Sequence, residues 1–136
     1  MFTDILVALK ENQPHQPLLE LAKKVAPSPA RVHLVTLVRV GTDDDELQRL
    51  RRTERSLGQL VESLAAEGYD ASYEAGIVAV SAAVDLVRIA GTREVELMVI
   101  GLAKRTRVGK ALMGSDAQRI LLSADCPVLV KQLHGM

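Results

Sequence analysis

The stretch LMVIGLAKRTRVGKALMGSDAQRILL, residues 97–122, decides the fold. Leu97 to Ile100 is a short apolar run that reads as a buried strand, and Ala117, Ile120 and Leu121 recur at helical spacing beyond Gly114-Ser115. Gly114-Ser115 is therefore expected to cap a helix. The backbone N–H groups at such a helix start attract negative charge, so the loop between Gly101 and Ser115 reads as an anion-binding turn. Lys104, Arg105, Arg107 and Lys110 reinforce that reading, because no acidic residue lies between Leu97 and Ser115.

The same strand-then-helix unit repeats upstream. Ile5 to Leu9 is a continuous apolar run, followed by Leu18, Leu21, Ala22 and Val25 at helical spacing until Pro27 and Pro29. Val32 to Val40 predicts a second strand. A long helix from about Asp45 to Glu67 turns Leu50, Leu57, Leu60, Val61 and Leu64 inward and stops at Gly68. Tyr69 to Ala75 alternates as a half-buried strand, and Val80, Ala83, Val84 and Val87 predict a third helix ended by Gly91. Pro127 closes the last helix, and Val128-Leu129-Val130 is the fifth strand.

Strict alternation of buried strands and amphipathic helices predicts an α/β fold, a Rossmann-like open parallel five-stranded sheet with helices on both faces. In the order 3-2-1-4-5, the loops after strands one and four flank a crevice at the strand carboxyl ends, where such sheets bind ligands. Periodicity does not give that order.

At 136 residues the chain is most simply one domain, 1–136, able to bury roughly two thirds of the surface its unfolded form exposes. Phe2, Tyr69 and Tyr73 are its only aromatic residues, so the core is aliphatic. Scarce rings and zero net charge leave neither base-stacking platforms nor general attraction to phosphate backbones, so nucleic acid is not an expected partner. The lone Cys126 excludes an intramolecular disulfide and fits a reduced, cytoplasmic setting. The run from Ile5 to Leu9 is too short for a signal or a membrane segment, and no membrane partner is expected.

Other motifs carry little chemistry. Gly109-Lys110 fails as a P-loop, because Lys104 stands where the first glycine belongs and Ala111 where a hydroxyl is needed. The acids Asp43-Asp44-Asp45-Glu46 precede a long helix, so capping explains them better than a metal does. His15, His33 and His134 are too scattered for a ligand set, and Ser115 has no evident base. Neither a metal nor a catalytic residue is expected.

Taken together, Ile5-Leu6-Val7-Ala8-Leu9, Val32-His33-Leu34-Val35, Gly76, Val99-Ile100-Gly101, Gly114-Ser115 and Cys126-Pro127-Val128-Leu129-Val130 resemble the universal stress protein (UspA) family over nearly the whole chain. ATP-binding members resemble G-x2-G-x9-G-[ST], of which this chain keeps Gly101 and Gly114-Ser115 at the same intervals. It departs at two positions. Lys104 replaces the second glycine, and Lys10 stands after strand one where ATP-binding members carry an aspartate. Both substitutions weigh against the family's usual ATP geometry, since a side chain replaces a close backbone approach and a cation replaces an acid.

The resemblance implies a regulatory stress-response protein, not an enzyme, with a site for ATP, another adenine nucleotide or an anion. Gly101, Gly114 and Ser115 would meet phosphate, Lys10 and Lys104 would add charge, and Ala8, Leu9 and Leu37 would line the base. Ala103, Asp116 and Ala117 are second-rank members of that set. It also implies a homodimer through Val128, Leu129 and Val130, because an apolar sheet edge demands cover. Two alternatives stay open: a dimeric interaction module that has lost ATP and works on an unidentified protein partner, and a small ATPase or nucleotide-transfer enzyme.

Overall fold

Runs of aliphatic residues become strands here because helices cover both sides of them. The computed structural model of the chain describes residues 1–39, 41, 45–103 and 114–133, together with the backbone of 106–107 and 110–111. Along the chain lie β1 (Asp4–Ala8), α1 (Gln16–Val25), β2 (Arg31–Val38), α2 (Glu46–Ala66), β3 (Asp70–Ile77) and α3 (Ala82–Arg93). They are followed by β4 (Leu97–Ala103), β5 (Thr106–Arg107), β6 (Lys110–Ala111), α4 (Ser115–Ser123) and β7 (Val128–Leu133).

Five strands form one parallel sheet in the order β3-β2-β1-β4-β7. With β7 as the fifth strand of the sequence reading, this is the 3-2-1-4-5 order. At its centre, β1 pairs with β2 through Ile5 and Val32 and with β4 through Ile5 and Leu97. The chain thus winds outward from β1 in one direction and then the other. The short antiparallel pair β5-β6 within the loop was not visible in the hydrophobic pattern.

Alternation along the strands divides the core in two. Ile5 and Val7 of β1 with Val32 and Leu34 of β2 pack with Leu18, Leu19, Leu57 and Leu64 of α1 and α2. Leu6, Ala8 and Val35 pack instead with Ala83, Leu86, Ile89 and Ile120 of α3 and α4. Helix boundaries follow their caps. The Asp45 carboxylate accepts from the Leu47 N–H at 3.0 Å and opens α2. Gly68, at φ +93°, closes it, while the Tyr69 N–H reaches back to the Leu64 carbonyl. Asp43 and Asp44 lie outside the described residues.

Helix α3 departs from the sequence reading at both ends. Val80 precedes the helix and is 74 % exposed, because the Ser81 hydroxyl caps the Val84 N–H and the Asp85 carboxylate holds the N–H groups of Ala79 and Val80 outside it. Gly91 does not end the helix. It lies within α3, which runs on to Arg93 and closes at Glu94 in the left-handed region. A glycine inside a helix costs about 1 kcal/mol relative to alanine, too little to stop a helix packed against the sheet.

Candidate functional site

The reversal of strand order falls between β2 and β4, on either side of β1. At their carboxyl ends, between the first turns of α3 and α4, a crevice of about 50 Å³ opens on the α3/α4 side of the sheet. The chain turns away here from β1 through Leu9 and Lys10, and the Leu9 N–H still bonds the Val35 carbonyl at 2.8 Å. Ala8, Leu9, Lys10, Leu37, Gly101, Asp116 and Ala117 line the crevice, so the fold brings these sequence-predicted residues together.

The remaining candidates stand apart. Ala103 lies beyond the crevice at the end of β4, while Gly114 and Ser115 open α4 outside its lining. Gly114 is the capping residue and Ser115 the first helical one, with no side-chain capping bond. Lys104 and Arg105 lie outside the described residues, as do the side chains of Arg107 and Lys110. Val128, Leu129 and Val130 run along β7, at the sheet edge, each partly buried.

Sequence reasoning missed the walls of the crevice. Val35, Ala82, Leu86, Ile100 and Ile120 are the other described residues of its lining, and their apolar character made them indistinguishable from ordinary core. It also missed Arg39. Just past β2, this guanidinium donates to the Asp116 carboxylate at 2.5 Å, linking the end of β2 to the first turn of α4 over the intervening end of β1. The pair spans the strand ends that form the crevice.

Gly101 meets a steric demand on the opposite side of the sheet. A Cβ there would come within 2.8 Å of Leu133 Cδ1, 3.2 Å of Gln13 Oε1 and 3.3 Å of Leu18 Cδ1. Gly114, by contrast, has no described atom within 4 Å of a Cβ position. Cys126 packs against the α3/α4 cluster, and burial raises its thiol pKa, making the reactive thiolate scarcer. Among the described residues, no three His, Cys, Asp or Glu side chains could hold a metal together, and no helix is long and apolar enough to cross a membrane.

An open parallel sheet with a crevice at its strand-order reversal defines the doubly wound α/β class of ligand-binding architectures. Within that class, the chain belongs to the universal stress protein family, which matches residues 1–131. A universal stress protein of Mycolicibacterium smegmatis is 45 % identical over 58 residues. That stretch covers 43 % of this chain and 45 % of the relative, less than half the length of either. The universal stress protein of Archaeoglobus fulgidus superposes with a TM-score of 0.76 at 23 % identity, covering 96 % of this chain and 98 % of that one. Its complex with dAMP gives 0.68 at 22 %, covering 95 % and 97 %. A universal stress protein in complex with cAMP gives 0.60 at 16 %, covering 96 % and 98 %. At these identities the structural likeness establishes the fold.

Proposed function

We propose that this universal stress protein holds an adenine nucleotide or another anion at the crevice between α3 and α4, and acts by regulation or partner contact, without turnover. One observation carries the proposal: a crevice at the strand-order reversal, lined by most of the residues that loop spacing and family resemblance single out. Ala8, Leu9 and Leu37 would meet the base, and the α4 start at Gly114 and Ser115, with Lys10 and Lys104, would face phosphate. The relatives solved with dAMP and cAMP support the ligand class.

Calorimetric titration with ATP, AMP, dAMP and cAMP tests the reading. Heat from at least one of them is expected, and silence from all four, with no thermal shift, overturns it. Gly114→Val gives a specific control, since a Cβ there meets no described atom within 4 Å. It should cost about 1 kcal/mol of stability, because valine caps a helix less well than glycine, and weaken nucleotide binding at least about tenfold, equivalent to about 1.4 kcal/mol. Unchanged affinity would locate the ligand elsewhere. Sustained phosphate release abolished by Gly114→Val would establish an ATPase instead.

A second reading, an interaction module without nucleotide, is favoured by the narrowness of the crevice. Its volume of about 50 Å³ is well below the roughly 300–1,000 Å³ of pockets that enclose drug-sized ligands. In either case we propose a cytoplasmic protein of one domain, 1–136, that dimerises through β7. Val128, Leu129 and Val130 lie on a sheet edge, with Leu121 and Leu122 exposed on the preceding helix. Light scattering should give a dimer mass, and a monomer at every concentration would reject the dimer.

A further inference from the structure

A second recess lies on the opposite side of the sheet, between α2 and the carboxyl end of β2, with a volume of about 190 Å³. Its floor is Thr36. Side chains alternate along β2, so Thr36 shares the α1/α2 side with Val32 and Leu34 and takes a position where another aliphatic side chain would continue the core. Thr36 is 2 % exposed, and its Oγ1 has no hydrogen-bond partner among the described residues. A buried hydroxyl without a partner is unfavourable, because it gives up its bonds to water and gains none in return. It borders this recess.

The wall opposite is one stripe of α2. Arg49, Arg52, Thr53 and Ser56 recur at helical spacing on the side where Leu57 enters the core. Thr53 is 9 % exposed, adding a second hydroxyl deep in the recess. Arg49 holds Glu11 through both carboxylate oxygens, at 2.7 and 3.4 Å, and donates to the Arg39 carbonyl at 2.9 Å. Arg49 thereby offsets Glu11, the one acid among the described lining residues. Arg52 stands at the rim with no acidic partner among the described residues, so the recess carries an excess positive charge beside several hydroxyl donors.

We propose that this recess binds a phosphate group, with the Arg52 guanidinium supplying charge and the hydroxyls of Thr36, Thr53 and Ser56 donating hydrogen bonds to its oxygens. Arginine suits that chemistry, because its planar fork presents paired donors to phosphate oxygens. The volume fits a phosphate group with a small substituent. The lining offers charge and hydroxyl donors with little apolar wall for a base, so the proposal concerns the phosphate group. The site is separate from the nucleotide crevice and does not depend on it.

The test is a titration of the full chain with inorganic phosphate and with glycerol 3-phosphate, followed by amide chemical shifts and melting temperature against chloride at matched ionic strength. Shifts should cluster at Thr36, Thr53 and Ser56, and phosphate should raise the melting temperature where chloride does not. Thr36→Val keeps the shape and removes the unpaired hydroxyl, so it should fold and lose most of the phosphate-dependent rise. Arg52→Ala should weaken binding at least about tenfold, or about 1.4 kcal/mol. Tighter binding of glycerol 3-phosphate supports a phosphomonoester as the ligand; equal binding supports free phosphate. Shifts confined to Ala8, Gly101 and Ala117, an equal response to chloride, or a full phosphate response in both variants overturns the proposal.

Discussion

The two recesses at the carboxyl end of the sheet share a strand but not a chemistry. On the α3/α4 side, Val35, Leu37, Leu86, Ile100 and Ile120 make a narrow, largely apolar slot. On the α1/α2 side, Thr36, Thr53, Arg49 and Arg52 make a wider polar one. Consecutive residues of β2 supply both, since a strand presents neighbouring side chains to opposite faces. The difference shows that an aliphatic sheet can carry one apolar recess and one charged recess without any change of fold.

Substitutions that break this contrast should act in a definite order. The largest effect belongs to Leu57→Ala, which empties a fully buried position beside the polar recess. It should cost about 2–5 kcal/mol in chemical denaturation. Asp85→Ala follows, because it strips the acceptor from the Ala79 and Val80 N–H groups just before the helix that walls the slot. A loss of about 1–3 kcal/mol is expected, with faster amide exchange at both positions.

A smaller, pH-dependent effect belongs to His33, which shares the crevice side of β2 with Val35 and contacts Ser72 and Glu74 of β3. Burial, aided by the positive charge of Arg93, holds its pKa below 6.5 against the opposing pull of the Glu74 hydrogen bond. The unfolded chain then binds a proton more readily than the folded one. The contribution of His33 to stability is complete above pH 6.5 and is lost as the pH falls through the folded-state pKa. Denaturation midpoints should decline in that window, and His33→Leu should flatten the decline. The smallest effect on stability is expected from Arg39→Ala, below about 1 kcal/mol, as for other exposed ion pairs. Because the fold barely notices that change, any altered nucleotide affinity measured by calorimetry would report on the crevice itself.

Much of this was legible in the residues. The strand runs and the capping signals at Asp45 and Gly68 identify their elements because burial on one or both faces enforces a period. The strand order was not legible from periodicity, since it depends on which edges meet and not on which residues are buried. Val80 misled because one valine at helical spacing says nothing of the Ser81 cap beside it. The crevice was half visible: Lys10, Gly101 and Asp116 stood out at loop junctions, whereas Leu86 and Ile120 read as core. The polar recess left no signal at all. Thr36 is β-branched and passes for an ordinary strand residue, and Thr53 is one of many polar residues in a long helix.

Gly101 has one further consequence. By leaving room above β4, it lets Leu133 of the edge strand settle into the core, where that side chain is almost wholly enclosed. The far end of β7 is therefore anchored in the core through Leu133. Any chain that adds to this border meets a template already held straight, and the entropy of ordering it has been lost in folding rather than in association.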